Sequence, residues 1–211
     1  MTKPRIFISS TCYDLTDARA RLTEFLESFG FEVLNSQLKT FGVTPGRHTS
    51  QVCLDQVDLA DYFILIIGSR SGTLAPDSEK TITNIEYDRA RERGLVILPF
   101  VKQDVLTARR LFQTNPKADF STFVESTSIF HFIDQIASAK SDNWLHGFDS
   151  VEDIREGLRS QFSYYLLLYA RHLGQVGENV FRPVTITGIE NGELVTYQVL
   201  ATKPTPLDPK R

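Results

Sequence analysis

The chain predicts an α/β fold: a parallel sheet of about five strands in order 2-1-3-4-5, helices on both faces, and a small C-terminal β-hairpin. Three observations predict it. Apolar runs of strand length recur along the first half, and the run Tyr62-Phe63-Ile64-Leu65-Ile66-Ile67 shows no polar alternation, so both its faces expect cover. Segments with helical apolar spacing separate the runs, as crossover connections between parallel strands require. Two of the runs also stop abruptly at small or hydroxylated residues, Ser9-Ser10-Thr11 and Gly68. A buried strand looks like this where its carboxyl end opens into a ligand-binding loop.

The first strand covers residues 5–9. Leu15, Ala18, Leu22, Phe25, Leu26 and Phe29 then recur at helical spacing, with Asp14 a candidate N-cap and Gly30 a candidate C′ residue. A short second strand at 31–34 leads into a polar loop broken by Pro45 and Gly46. A helix follows from Thr49, with Cys53, Leu54, Val57 and Ala60 inward. Residues 62–67 form the third strand and 68–80 a loop rich in Gly, Ser, Pro and charge. Thr83-Asn84-Ile85-Glu86 opens a helix that Gly94 ends, and 95–101 is the fourth strand. Helices are expected at 107–113 and 122–139, and a fifth strand at 144–148. Ser150, backed by Asp153, caps the best amphipathic helix of the chain, which carries Val151, Ile154, Leu158, Phe162, Tyr165, Leu166, Tyr169 and Leu173. Residues 184–187 and 194–200 flank Asn191-Gly192, a strong hairpin signal. The domain organisation is an α/β domain at 1–175, an appended hairpin at 176–202 and a loose tail at 203–211. The strand order is flavodoxin-like.

Composition bounds the function. The 211 residues are 41% hydrophobic and 23% charged, with a net charge of -3, ordinary for a soluble globular protein. No Lys/Arg stripe marks a nucleic-acid partner. The apolar runs are too short to span a bilayer, and no signal-peptide h-region opens the chain. Two cysteines, Cys12 and Cys53, make no disulfide framework and fit a reducing cytosol. His48, His131, His146 and His172 lack metal-ligand spacing, so no metal is expected.

Candidate chemistry gathers at the strand ends. Ser9, Ser10 and Thr11 offer hydroxyls and backbone N–H groups to phosphate or ribose, aided by the positive end of the following helix; the same residues also suit a plain turn and N-cap. Gly68-Ser69-Arg70-Ser71-Gly72 combines close backbone approach with the donor fork of Arg70, although a surface turn reads the same way. Glu86 is the sharpest candidate. A carboxylate in the first turn of that helix can hold a ribose, or stabilise an oxocarbenium-like transition state as an N-glycosidic bond breaks. The competing reading is a capping box in which Glu86 merely bonds its own N-cap.

Taken in order, these pieces resemble a known family. They are Arg5-Ile6-Phe7-Ile8-Ser9-Ser10-Thr11 with Asp14-Leu15, then Ala60-Asp61-Tyr62 running into Ile67-Gly68-Ser69-Arg70-Ser71-Gly72. Thr81-Ile82-Thr83-Asn84-Ile85-Glu86-Tyr87 with Ala90 follows, and residues 144–148 with Ser150-Val151-Glu152-Asp153 complete the set. Together they resemble, over roughly residues 4–170, the TIR-like domain of unknown function at the N-terminus of STAND-type ATPase and repeat proteins. The resemblance implies a fold related to TIR domains and nucleoside 2-deoxyribosyltransferases, in which a Glu on the corresponding helix serves N-glycosidic chemistry. That residue is Glu86 here, with Ser9, Ser10, Thr11, Asp14, Gly68, Arg70, Gly72 and Tyr87 as expected ligand contacts. Two positions depart from the family: Ala18-Arg19 stands where a Glu-Arg pair is usual, and Ser71 where an aromatic is usual.

The resemblance implies a cytoplasmic effector or signalling domain that binds a nucleotide, with NAD the leading candidate, and cleaves its nicotinamide–ribose bond without an added cofactor. It also implies self-association or a protein partner, and a place in bacterial antiphage defence. Two other classes stay open: a nucleotide-sensing module without turnover, and a protein–protein assembly domain built on the helix from Ser150.

Overall fold

The apolar runs lie side by side in one parallel sheet in the computed structural model, which describes residues 3–11, 16–35, 48–76, 78–180, 182–190 and 193–201. Two compact units make up the chain, Met1–Gly157 and Leu158–Arg211. In the first, strands β1 (Arg5–Ser10), β2 (Glu32–Leu34), β3 (Tyr62–Ile67), β4 (Val96–Lys102) and β5 (His146–Phe148) are ordered β2-β1-β3-β4-β5. The predicted order is the observed one. Ser9 stands opposite Leu65 and Ser10 opposite Ile66, so the carboxyl ends of β1 and β3 emerge together where the order reverses.

Among the described residues, six helices cross between or follow these strands: α1 (Thr16–Ser28), α2 (Thr49–Val57), α3 (Ile82–Glu92), α4 (Gln103–Thr114), α5 (Ser128–Ala137) and α6 (Val151–Val180). Strand side chains alternate between the two faces. Phe7, Phe63, Leu65, Ile67, Ile97 and Val101 join Val57 of α2, Tyr87 and Ala90 of α3, and Val105 and Ala108 of α4 in one core; Ile129, Phe130 and Ile133 of α5 belong to it as well. The alternate residues Ile6, Ile8, Ile64, Ile66, Leu98 and Phe100 are buried too, so this sheet is covered on both faces. A Cβ on Gly157 would sit 3.0 Å from the Phe100 ring, which places the start of α6 against β4. Arg155 lies over the Phe25 ring and brings α1 beside it.

Three helix boundaries differ from expectation. Helix α3 begins earlier, after Thr81. Helix α4 follows directly from β4 at Gln103, so there is no intervening loop. Helix α5 begins at Ser128, later than the apolar spacing suggests, because Glu125 spends its N–H on Ser69 O across the fold, at 2.8 Å. Phe120 and Val124 are still buried through a single turn before it, and Phe123 is exposed. The Ser150 cap forms as expected: Asp153 Oδ2 accepts from the Ser150 N–H at 2.7 Å, and Ser150 Oγ accepts from the Asp153 N–H at 3.3 Å.

In the second unit, α6 exposes Tyr164, Leu166, Leu167, Leu168, Tyr169 and Leu173. Strands β6 (Arg182–Glu190) and β7 (Glu193–Ala201) pair antiparallel from Arg182↔Ala201 to Glu190↔Glu193. The expected turn at Asn191-Gly192 and the tail from Lys203 lie outside the described residues, as do Cys12, Asp14 and the Pro45-Gly46 loop. No helix among the described residues is long and apolar enough to cross a membrane.

Candidate functional site

The carboxyl ends of β1 and β3 are locked together through Thr11. Its N–H donates to Ile66 O at 3.2 Å, and its Oγ1 accepts from the Gly68 N–H at 3.0 Å. Gly72 returns the β3 loop onto the same residue. Its φ is +82°, and a Cβ there would meet Thr11 O at 2.9 Å, so both the backbone twist and the close approach require glycine. Glu125 holds the loop from the other side, accepting from the Ser71 N–H at 2.9 Å. The loop then returns to α3 through the Leu74↔Thr81 bridge and the Ile82 N–H to Thr73 O bond.

Helix α3 delivers Glu86. Thr81 is the N-cap: its Oγ1 accepts from the Asn84 N–H at 3.2 Å, and Asn84 Oδ1 accepts from the Thr81 N–H at 3.0 Å. Asn84 therefore closes the capping box. This corrects the reading in which Thr83 opens the helix and Glu86 serves the cap. Thr83 instead reaches across, its Oγ1 donating to Ser10 O at 3.3 Å. Glu86 is left free of capping and lies at the end of β1, where its Oε2 accepts from Ser9 Oγ at 2.5 Å.

Glu86 and its partner are buried together. Glu86 is 5% exposed and Ser9 is 2% exposed. Burial pushes its carboxyl up to about 7, against the opposing pull of the Ser9 hydroxyl, the Cys53 thiol and the positive charge of Arg19. Cys53 of α2 lies beside the same carboxylate, and burial next to that negative charge pushes the thiol up to about 12. Elements β1, α1 and α2 thus each bring one group to bear on the single carboxylate that α3 carries.

The other expected site residues divide. Ser9, Ser10, Thr11, Gly68 and Gly72 share the β1–β3 ends with Glu86. The Oγ atoms of Ser10 and Ser71 are buried there without a hydrogen-bond partner. Arg70 is exposed on the same loop. Tyr87 is a correction: it is 2% exposed and packs edge-to-face on Phe132 in the core. One helical residue turns the side chain by about 100°, which takes Tyr87 into the apolar layer and away from the strand ends. Asp14 lies outside the described residues. Among the described residues, no group of three His, Cys, Asp or Glu side chains is placed to hold a metal ion.

Residues 5–163 match the family described as "Domain of unknown function (DUF4062)". The chain belongs to this family. Among solved structures, this DUF4062 chain is similar to "Structure of the activated Roq1 resistosome directly recognizing the pathogen effector XopQ (TIR domains)". The TM-score is 0.50 at 11% identity, covering 76% of this chain and 99% of that one. The likeness establishes a TIR-like fold. No curated protein matches the chain.

Two groups at Glu86 escaped the sequence reading of this DUF4062 chain. Arg19 carries a signal, because it stands three and seven residues before Leu22 and Leu26, in the middle of an apolar helix face. A charge at such a position asks for a buried partner. Cys53 carries none: a cysteine on an inward helix face reads as a small packed apolar residue.

Proposed function

We propose that this DUF4062 domain is a nucleotide-binding TIR-like effector or signalling domain that cleaves the nicotinamide–ribose bond of NAD or a related nucleotide. The observation that carries the proposal is Glu86: a carboxylate buried at the end of β1, bound to Ser9 and not used by the α3 cap. In the reaction the C1′–N bond breaks and its electron pair leaves with the nicotinamide. The ribose becomes cationic, and water adds at C1′ with loss of a proton. A fixed negative charge close to C1′ favours that transition state. Ser10 and the Gly68–Gly72 loop, with Arg70, would position phosphate or ribose.

Glu86 is buried, so the groups that enclose it must part before a nucleotide can reach it. We assign that opening to self-association, in the setting of a STAND-type or antiphage defence protein. The test is NAD with concentrated protein, with nicotinamide release followed by chromatography. Release is expected, and Glu86→Gln should abolish it while leaving nucleotide binding in place. Undiminished release in Glu86→Gln rejects the role of Glu86. Binding without release at any protein concentration makes the domain a nucleotide sensor. The exposed apolar residues of α6 favour a second reading, an assembly domain, which neither binding nor release would leave standing.

A further inference from the structure

We infer that Ser9 is a positioning residue for Glu86, with Cys53 in support: a hydroxyl from the end of β1 holds the α3 carboxylate, and a thiol from α2 lies beside it. The inference deepens the proposed role of Glu86 and rests on it, but its geometry is separate from the identity of the substrate.

The Ser9 hydroxyl lies 2.5 Å from Glu86 Oε2, and both residues are almost wholly buried. At that depth a donor to an ionised oxygen is worth far more than at a surface, because water does not replace it. The thiol of Cys53 lies beside the same group and pulls its carboxyl in the same direction. Desolvation opposes ionisation of a buried carboxyl, and donors restore it. Arg19, from α1, is the charged group that acts on Glu86, and Cys53, from α2, is the titratable one. Burial disfavours the thiolate, so Cys53 acts on Glu86 as a neutral thiol.

The arrangement assigns different strengths to the two donors. A hydroxyl is a good donor and a thiol a weak one. Exchanging them therefore has a predictable sign at each position, without creating a cavity large enough to endanger folding.

The experiment is a carbon-13 NMR titration of the Glu86 carboxyl in full-length protein labelled at glutamate, with its signal identified by its loss in Glu86→Gln. The wild-type midpoint is expected near neutrality. Ser9→Ala should raise it by about one pH unit, since a hydrogen bond to a charged group is worth about 1.5 kcal/mol or more. Cys53→Ala should raise it by less. Ser9→Cys should raise it and Cys53→Ser should lower it, which keeps the test decisive if either alanine variant fails to fold. Folded variants that leave the midpoint unmoved, or move it the other way, overturn the inference. These shifts in a protein that releases no nicotinamide would support the positioning of Glu86 while rejecting the glycosidase reading. Nicotinamide release with unmoved midpoints would do the reverse.

Discussion

Glu86 carries a cost that its position explains. Its carboxyl is raised from the ordinary 4.5 to about 7 by burial, so the folded protein holds a proton there that the unfolded chain has already released between those two values. Its contribution to stability is therefore fully present below about 4.5 and lost as the pH rises through about 7. The difference is on the order of 3 kcal/mol. Glu86→Gln, which cannot ionise, should remove this loss. Urea denaturation at pH 5 and pH 8 should give wild-type and variant similar stabilities at the lower pH, and a more stable variant at the higher one. Equal pH dependence in the two proteins would show that Glu86 titrates normally. A residue kept at such a cost fits a functional site better than a structural one. Sequence reading found Glu86 but could not separate its two roles, because Thr83 and Thr81 are both acceptable caps three residues ahead of a polar side chain. Only the tertiary partner Ser9 decides between them.

Among the elements, α3 shows how one helix serves both purposes. The Thr81–Asn84 box fixes where it begins, and Arg89 grips Asp58 at the end of α2 through two bonds of 2.7 Å. That clamp fixes its rotation and its spacing from the helix that bears Cys53. Thr81→Ala should destabilise the domain by about 1 kcal/mol, as loss of a cap does, measured by chemical denaturation. No effect would mean that another group satisfies the first turn. Strand identity and order were legible because buried parallel strands leave uninterrupted apolar runs, as at Tyr62–Ile67. The start of α5 was not legible. The Phe123-to-Ile136 spacing looks helical throughout, yet the Glu125 N–H is taken by Ser69, a contact between residues far apart in sequence. Tyr87 was misread for a related reason. A motif places neighbouring residues in the same segment, but the helical turn separates the faces of Glu86 and Tyr87.

At the scale of the whole molecule, the two units differ in how they use apolar surface. The Met1–Gly157 unit buries its strands on both faces. The Leu158–Arg211 unit displays Tyr164, Leu166, Leu167, Leu168, Tyr169 and Leu173 along one stretch of α6. Single exposed apolar residues are ordinary on a protein surface, but six within ten positions are not. Self-association would cover them, and it would supply the event that opens the enclosed Glu86. Sedimentation velocity over a range of concentrations should therefore show a reversible rise in mass, and Leu166→Glu with Tyr169→Glu should suppress it. A charge placed in such an interface has to be desolvated without a partner, so the expected effect is loss of assembly with the fold retained. The double variant should also lose nicotinamide release at concentrations where the wild type is active. Assembly unaffected by the pair would remove α6 from the interface. Assembly lost with release intact would show that the enclosed carboxylate opens within a single chain.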